Sequence, residues 1–312
     1  MTLTPRLVLL LTVPPLMWAG NAIVGRLMVG EVPPLMLNFM RWVLAAALLL
    51  PLGWRVLRQF RLVRERLGYF VLIGLLGVGL YNALQYLALV TSSPINVTLV
   101  ASSLPLWMLA VGMLFFGERP SGRQLGAATL SLCGVLVVIG RGSWDMLMGV
   151  RLVPGDVYIV CAIIGWAFYS WLLARPPASM RSPQRPTEAD GWDWAGVLLL
   201  QTLVGSLAAG LMAAGEQALG AAPVRWSGGV FAAWLFVSLG ASIVAYRCWG
   251  LAVAQAGPAV AAFFGNLTPV FAALMSAALL GDPPRAYHVL AFALIVAGIA
   301  LNALPQRPGA AQ

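Results

Sequence analysis

The side chains of this chain that could do chemistry are polar and aromatic groups set inside long apolar stretches. Trp18 and Asn21 share one stretch. Tyr81, Asn82 and Gln85 share another, where spacings of three and four place them on one helical face. Trp166, Tyr169 and Ser170 cluster in a third, and Ser238, Ser242 and Tyr246 follow at intervals of four with Trp249 beyond. Asn266 and Thr268 stand beside Pro269. Such groups donate, accept and stack, which suits reversible binding. Catalysis would need a nucleophile with a base, a pair of acids or a metal cluster. His288 is the one histidine, no carboxylate falls inside an apolar stretch, and Cys133, Cys161 and Cys248 lie apart without metal-ligand spacing. No catalytic residue, metal or cofactor is therefore expected, and an enzyme is the weaker reading. The alternative for each polar residue is an interhelical hydrogen bond that serves packing alone.

Four further residues invite a gating role. Arg41 lies about 10 Å into its stretch at 1.5 Å per helical residue, where a charge is costly and must find a partner. That partner could be a carbonyl, Glu31 or an anionic group of a solute. Arg247 lies nearer the end of its stretch and can reach the interface with its charged head, or meet a solute carboxylate at the mouth. Pro105 and Pro269 fall mid-stretch, and each removes a backbone donor, so each is a hinge or a fixed bend.

These residues need helices to position them. Of 312 residues, 61% are hydrophobic and 9% charged, against roughly 25% charged in a soluble domain. The solvent of such a chain is largely lipid, and a backbone in lipid must satisfy itself as helix. Spans are expected near 7–28, 33–53, 69–89, 95–116, 124–140, 156–174, 194–214, 229–251, 259–280 and 287–304. The fold class is thus an all-α polytopic membrane protein of about ten transmembrane helices. The net charge of +9 comes from arginine alone, with no lysine. The arginines sit mostly in connections, which argues against nucleic acid as a partner and for topology-setting charge. Arg55, Arg58, Arg61, Arg64 and Arg66 gather in one connection and Arg175, Arg181 and Arg185 in another, so both termini are expected in the cytoplasm. Segment 54–68 carries Val56, Phe60, Val63 and Leu67 at helical spacing, which fits either an interfacial helix or a basic loop. Connection 175–193, rich in Pro, Ser and charge, reads as a flexible joint.

The chain also repeats itself. Pro94, Pro105, Gly117, Pro120, Leu130 and Gly134 recur 164 residues later as Pro258, Pro269, Gly281, Pro284, Leu294 and Gly298, and Glu118 recurs as Asp282. Trp18-Ala19 recurs as Trp166-Ala167 after 148 residues. Two copies of five spans each would enter the membrane from opposite sides, as inverted repeats do. The expected organisation is a first repeat at 7–140, an external connection at 141–155, a second repeat at 156–304 and a cytoplasmic tail at 305–312.

With Ala88-Leu89 and Ala252-Val253 ahead of the two Pro-to-Gly-acid runs, the chain resembles the EamA-type members of the drug/metabolite transporter superfamily over about 12–304. The resemblance implies ten helices and a central cavity lined mainly by spans 1, 3, 4, 6, 8 and 9. It implies a small-molecule substrate within a lipid bilayer, with export of amino acids or related neutral and zwitterionic metabolites by alternating access. The bacterial inner membrane is the expected location, and the expected assembly is a monomer or weak homodimer. A lipid-headgroup or lipid-carrier flippase of the same fold, or a multidrug exporter, is the alternative. Expected substrate-binding residues are Trp18, Asn21, Tyr81, Asn82, Gln85, Trp166, Tyr169, Ser242, Tyr246 and Asn266, with Arg41, Pro105, Arg247 and Pro269 for gating.

Overall fold

The computed structural model describes residues 4–92, 97, 100–140, 142–149, 153–280 and 285–303. The described residues are helices joined by short connections, with no strand among them. In chain order they are α1 (Pro5–Leu27), α2 (Pro34–Gly53), α3 (Phe60–Glu65), α4 (Leu67–Ile73), α5 (Tyr81–Thr91), α6 (Leu104–Phe115), α7 (Gly122–Ile139) and α8 (Trp144–Met148). There follow α9 (Pro154–Ala174), α10 (Trp194–Ala218), α11 (Gly228–Ser238), α12 (Ala245–Ala256), α13 (Pro258–Gly265), α14 (Thr268–Leu280) and α15 (Ala286–Ala303). Among the described residues, seven helical stretches are long and apolar enough to cross a membrane: Pro5–Leu27, Pro34–Arg58, Leu67–Thr91, Pro154–Ala174, Trp194–Ala218, Gly228–Ala256 and Pro258–Met275. Shorter apolar helices cover Leu104–Phe115 and Ala286–Asn302. Of the repeat positions, Pro94, Gly281, Asp282 and Pro284 lie outside the described residues, as do Arg141, Arg151 and the tail 305–312.

Helix starts follow local chemistry. Thr4 caps α1 through the Leu7 N–H, and Asp193 caps α10 through the Gly196 N–H at 2.8 Å. α2 opens on Pro34 without a cap of its own, and Glu216 near the end of α10 supplies one. Its carboxylate accepts from Leu35 N at 3.0 Å and Met36 N at 2.8 Å, an anion placed at the positive end of a helix.

Two helices widen into π-turns, at Gly74–Leu80 between α4 and α5 and at Leu239–Val244 between α11 and α12. A π-turn shifts the hydrogen-bond ladder by one residue and releases carbonyls to other partners. Gly79 O accepts from Asn38 Nδ2 at 3.1 Å, Gly77 O from the Tyr246 hydroxyl, and Ala241 O from Arg41 Nη2 at 2.7 Å.

α7 and α15 pack side by side through two glycines. A Cβ on Gly134 would lie 2.9 Å from Ala291 O, and one on Gly298 would lie 2.8 Å from Ala127 O. The contact is reciprocal, since 164 residues separate Gly134 from Gly298 and Ala127 from Ala291 alike.

Three sequence expectations are corrected. Segment 54–68 is not one amphipathic helix: a 3-10 turn over Trp54–Arg58 and α3 meet at Gln59, leaving Val56 fully buried and Phe60 74% exposed. The connection 175–193 is anchored rather than free. Arg66 donates to Ser179 O and Gln184 O, both at 3.0 Å, and stacks on the fully buried Trp192. A run of Pro, Ser and charge looks like a linker in sequence, and the buried tryptophan is what ties it down. Pro105 and Pro269 do not bend continuous helices. Each is the second residue of a helix that begins after a break, α6 after the turn at Ser102–Ser103 and α14 after Asn266–Leu267. At that position the missing N–H is one the helix would leave unpaired anyway.

Candidate functional site

Arg41 lies at the centre of the site. The side chain is fully buried and makes five hydrogen bonds to neutral oxygens from three helical stretches. Nε donates to Ser242 Oγ at 2.5 Å and Nη2 to Ala241 O at 2.7 Å, both in the second π-turn. Nη1 donates to Asn82 Oδ1 at 2.6 Å, Asn21 Oδ1 at 3.1 Å and Tyr86 Oη at 3.1 Å. A buried arginine at the middle of a span costs about 2.5–3.5 kcal/mol on insertion scales. Hydrogen bonds to a charged group contribute about 1.5–3 kcal/mol each, so this set outweighs the burial cost. Glu31, one candidate partner from sequence, instead faces Arg225 at 4.0 Å.

Around this cation the polar residues interlock. Asn21 Nδ2 donates to Gln85 Oε1 at 2.8 Å, the Tyr86 hydroxyl donates to Asn21 Oδ1 at 2.7 Å, and Asn82 Nδ2 donates to Tyr246 Oη at 3.3 Å. Asn82 and Tyr246 are themselves 164 residues apart.

On one side of this layer lies an aromatic box. Trp166 stands at its middle, with ring centroids at 5.1 Å from Trp18, 4.9 Å from Tyr81, 4.7 Å from Tyr169, 5.3 Å from Tyr246 and 5.6 Å from Trp249. Trp18, Tyr81, Gln85, Ile163 and Trp166 line a cavity of about 30 Å³, and the two helix breaks close it with Ala101 and Leu104 from one and Gly265 and Thr268 from the other. These break residues pair at the 164-residue spacing, Ala101 with Gly265 and Leu104 with Thr268. Buried polar atoms normally have partners. The Trp166 Nε1 and both amide atoms of Asn266, at the second break, are buried without one.

On the other side lies a second cavity of about 260 Å³, lined by Gly25, Leu37, Tyr86, Val90, Glu31 and Glu216 among others. It opens at the end where α2 starts, opposite the arginine-rich segment 54–66 at the far end of α2.

The structure therefore divides the residues expected from sequence. Trp18, Tyr81, Gln85 and Trp166 line the aromatic cavity, while Asn21, Arg41, Asn82, Ser242 and Tyr246 form the polar layer beside it. Tyr169 packs on the box and pairs with Gln201, whose Nε2 lies 3.1 Å from the Tyr169 hydroxyl. Asn266 sits at the break behind Gly265. Arg247 lies apart from both groups, half-buried, with its guanidinium 4.9 Å over the Trp194 ring. Tyr86, which sequence reasoning missed, touches both the layer and the second cavity; its spacing of four from Asn82 was the available signal. The Gly117-Glu118 motif lies away from the site. Glu118 pairs with Arg175 and ties the end of α6 to the end of α9.

Comparison with known proteins gives this arrangement a family. The model of the EamA-like transporter family matches residues 6–140 and again 153–304. An uncharacterized transporter of Archaeoglobus fulgidus is 25% identical over 96% of this chain and 97% of its own length. The aromatic amino acid exporter YddG of Ancylobacter novellus is 25% identical over 89% of this chain and 90% of its own. A solved crystal structure superposes with a TM-score of 0.67 at 22% identity, covering 95% of this chain and 96% of that one, a likeness of fold. The chain, an all-helical multi-pass membrane transporter, belongs to the EamA-like family of the drug/metabolite transporter superfamily.

Proposed function

We propose that the chain exports amino acids with apolar or aromatic side chains, or closely related neutral and zwitterionic solutes, by alternating access. The observation that carries this reading is the aromatic cavity at the junction of the two broken helices, with unpartnered buried polar atoms beside it. Broken helices meeting at a midplane cavity are how transporters of inverted-repeat design hold polar substrate groups. At about 30 Å³ the cavity has room for one or two waters, so it must widen to admit an amino acid, and the breaks at Ser102–Ser103 and Asn266–Leu267 are where helices can yield. The lining carries no acid, so a cation has no counter-charge there. The relatives include one named as an aromatic amino acid exporter.

The architecture in this reading is ten helices in two inverted five-helix repeats, with α6, α7 and α15 completing the set. Its support is the reciprocal glycine contact, the two π-turns at matching places and the paired break residues. Isologous contacts of this kind are what a two-fold axis generates. Both termini are cytoplasmic in a bacterial inner membrane, supported by the arginines at 54–66 and 175–185.

Purified protein in liposomes tests the function. Labelled phenylalanine and leucine should exchange across the membrane faster than in empty liposomes, and unlabelled phenylalanine should compete. Strong transport of a quaternary ammonium dye with no amino-acid exchange would overturn the reading.

A further inference from the structure

Arg41 is more than a strut between helices. Arg66 and Asp156, the other charged residues buried among those described, keep 7% and 8% of their surface, whereas Arg41 keeps none. Its hydrogen-bond partners are all neutral. Acids toward the helix ends have partners of their own: Glu216 caps α2, Asp156 accepts from Val153 N at 2.9 Å, and Glu31 faces Arg225. Neutral oxygens and the Trp42 ring, whose centroid lies 5.0 Å from Cζ, hold the guanidinium without an anion to pair with it.

The two edges of the guanidinium are held differently. The Nε and Nη2 side is clamped by Ser242 Oγ and Ala241 O of the π-turn. The Nη1 side holds side-chain oxygens of Asn21, Asn82 and Tyr86; Tyr86 itself lines the second cavity, and Asn21 is bonded to Gln85 of the first. Gln85 lines the aromatic cavity and accepts from Asn21; Tyr86 lines the second cavity and donates to Asn21. A hydrogen-bonded chain from Gln85 through Asn21 to Tyr86 thus links the two cavities, and Arg41 donates to two of its members.

We propose that Arg41 is a carboxylate-binding site on the path between the cavities. The carboxylate of a substrate leaving the aromatic cavity takes the places of the Asn21 and Asn82 oxygens on Nη1. The exchange keeps the number of hydrogen bonds to the cation and adds the neutralisation that amide oxygens do not provide. The displaced Asn82 keeps its contact with Tyr246. Arg41 in this account sets specificity for a solute with a carboxylate, and the inference rests on the amino-acid reading above.

The test compares three solutes in liposomes: phenylalanine, its amide and phenethylamine, which differ in the carboxylate. The native protein should prefer the acid by about tenfold or more, the scale of a charge-assisted contact. Arg41→Lys should keep much of that preference and Arg41→Gln should lose it. Arg41→Gln could fail to fold, so Asn82→Asp is the second variant. It is isosteric and sets a fixed carboxylate on Nη1, so it should cut transport of the acid about tenfold more than transport of the amide. Equal losses for all three solutes in both variants would make Arg41 a structural tie and overturn the proposal. A native protein that moves the acid and the amide equally well would also overturn it, with the amino-acid reading left standing. Native protein that moves none of the three would overturn both.

Discussion

The reciprocal glycine contact makes a quantitative demand. α7 and α15 approach so closely at Gly134 and Gly298 that a methyl group there would meet backbone oxygen at 2.9 and 2.8 Å. A carbonyl cannot rotate away as a side chain can, so Gly134→Ala or Gly298→Ala must push the helices apart. Overpacking of this kind costs about 1–3 kcal/mol, less up to about 1 kcal/mol regained because alanine favours helix over glycine. At about 2–4 °C per kcal/mol for a chain of this order, each variant should melt a few degrees lower in detergent. Gly126→Ala on the same helix is the control. Its nearest neighbour would be Leu301 Cδ2 at 3.7 Å, an ordinary contact, so it should be neutral or slightly stabilising. The double variant should lose less than the two single losses combined, because one separation relieves both clashes. Thermal unfolding followed by fluorescence reads the native protein and the four variants. Melting of both single variants at the native temperature would refute the close approach, and a loss in one alone would refute the equivalence of the two halves.

Further perturbations probe the rest of the molecule. Cysteines placed at Arg61 and Ser182 should resist an impermeant thiol reagent applied to intact cells while one at Arg225 labels, and labelling at Arg61 would reverse the proposed orientation. Trp192→Ala should remove the fully buried anchor of segment 175–193, cost about 3–5 kcal/mol, and speed proteolysis there; an unchanged cleavage rate would contradict the anchoring. The Asp190 carboxyl is held below its usual range by the hydroxyl and N–H of Thr187. A depressed folded pKa supports the turn above the unfolded pKa, with that support lost as pH falls through the folded value. Thr187→Val should move the Asp190 titration upward in a carboxyl NMR experiment.

Much of the site was legible in the residues themselves. Tyr81, Asn82 and Gln85 share a face by spacing, and the cost of a polar group in lipid marked Asn21, Ser242 and Tyr246. What spacing could not give was the division into an aromatic cavity and a separate polar layer, because that depends on which helices meet. Arg41 was found by its depth, yet its partners come from α1, α5 and the second π-turn, up to 201 residues away. The π-turns left no readable mark, since a glycine-rich run such as 74–80 does not distinguish one helical ladder from another. Pro105 and Pro269 were misread for a related reason. A proline in mid-helix and a proline at a helix start look alike, and the distinguishing signal was the turn-forming Ser102-Ser103 and Gly265-Asn266 just before them.

Substrate protection at the aromatic cavity tests the account most directly. Ala101 lines that cavity at the first helix break. Ala101→Cys, in a protein whose Cys133, Cys161 and Cys248 are replaced by alanine, places one thiol there. Saturating phenylalanine should slow labelling of this thiol several-fold, and glycerol at the same concentration should leave it unchanged. Labelling that proceeds at the same rate with and without an amino acid the protein transports would place the substrate elsewhere and contradict the account.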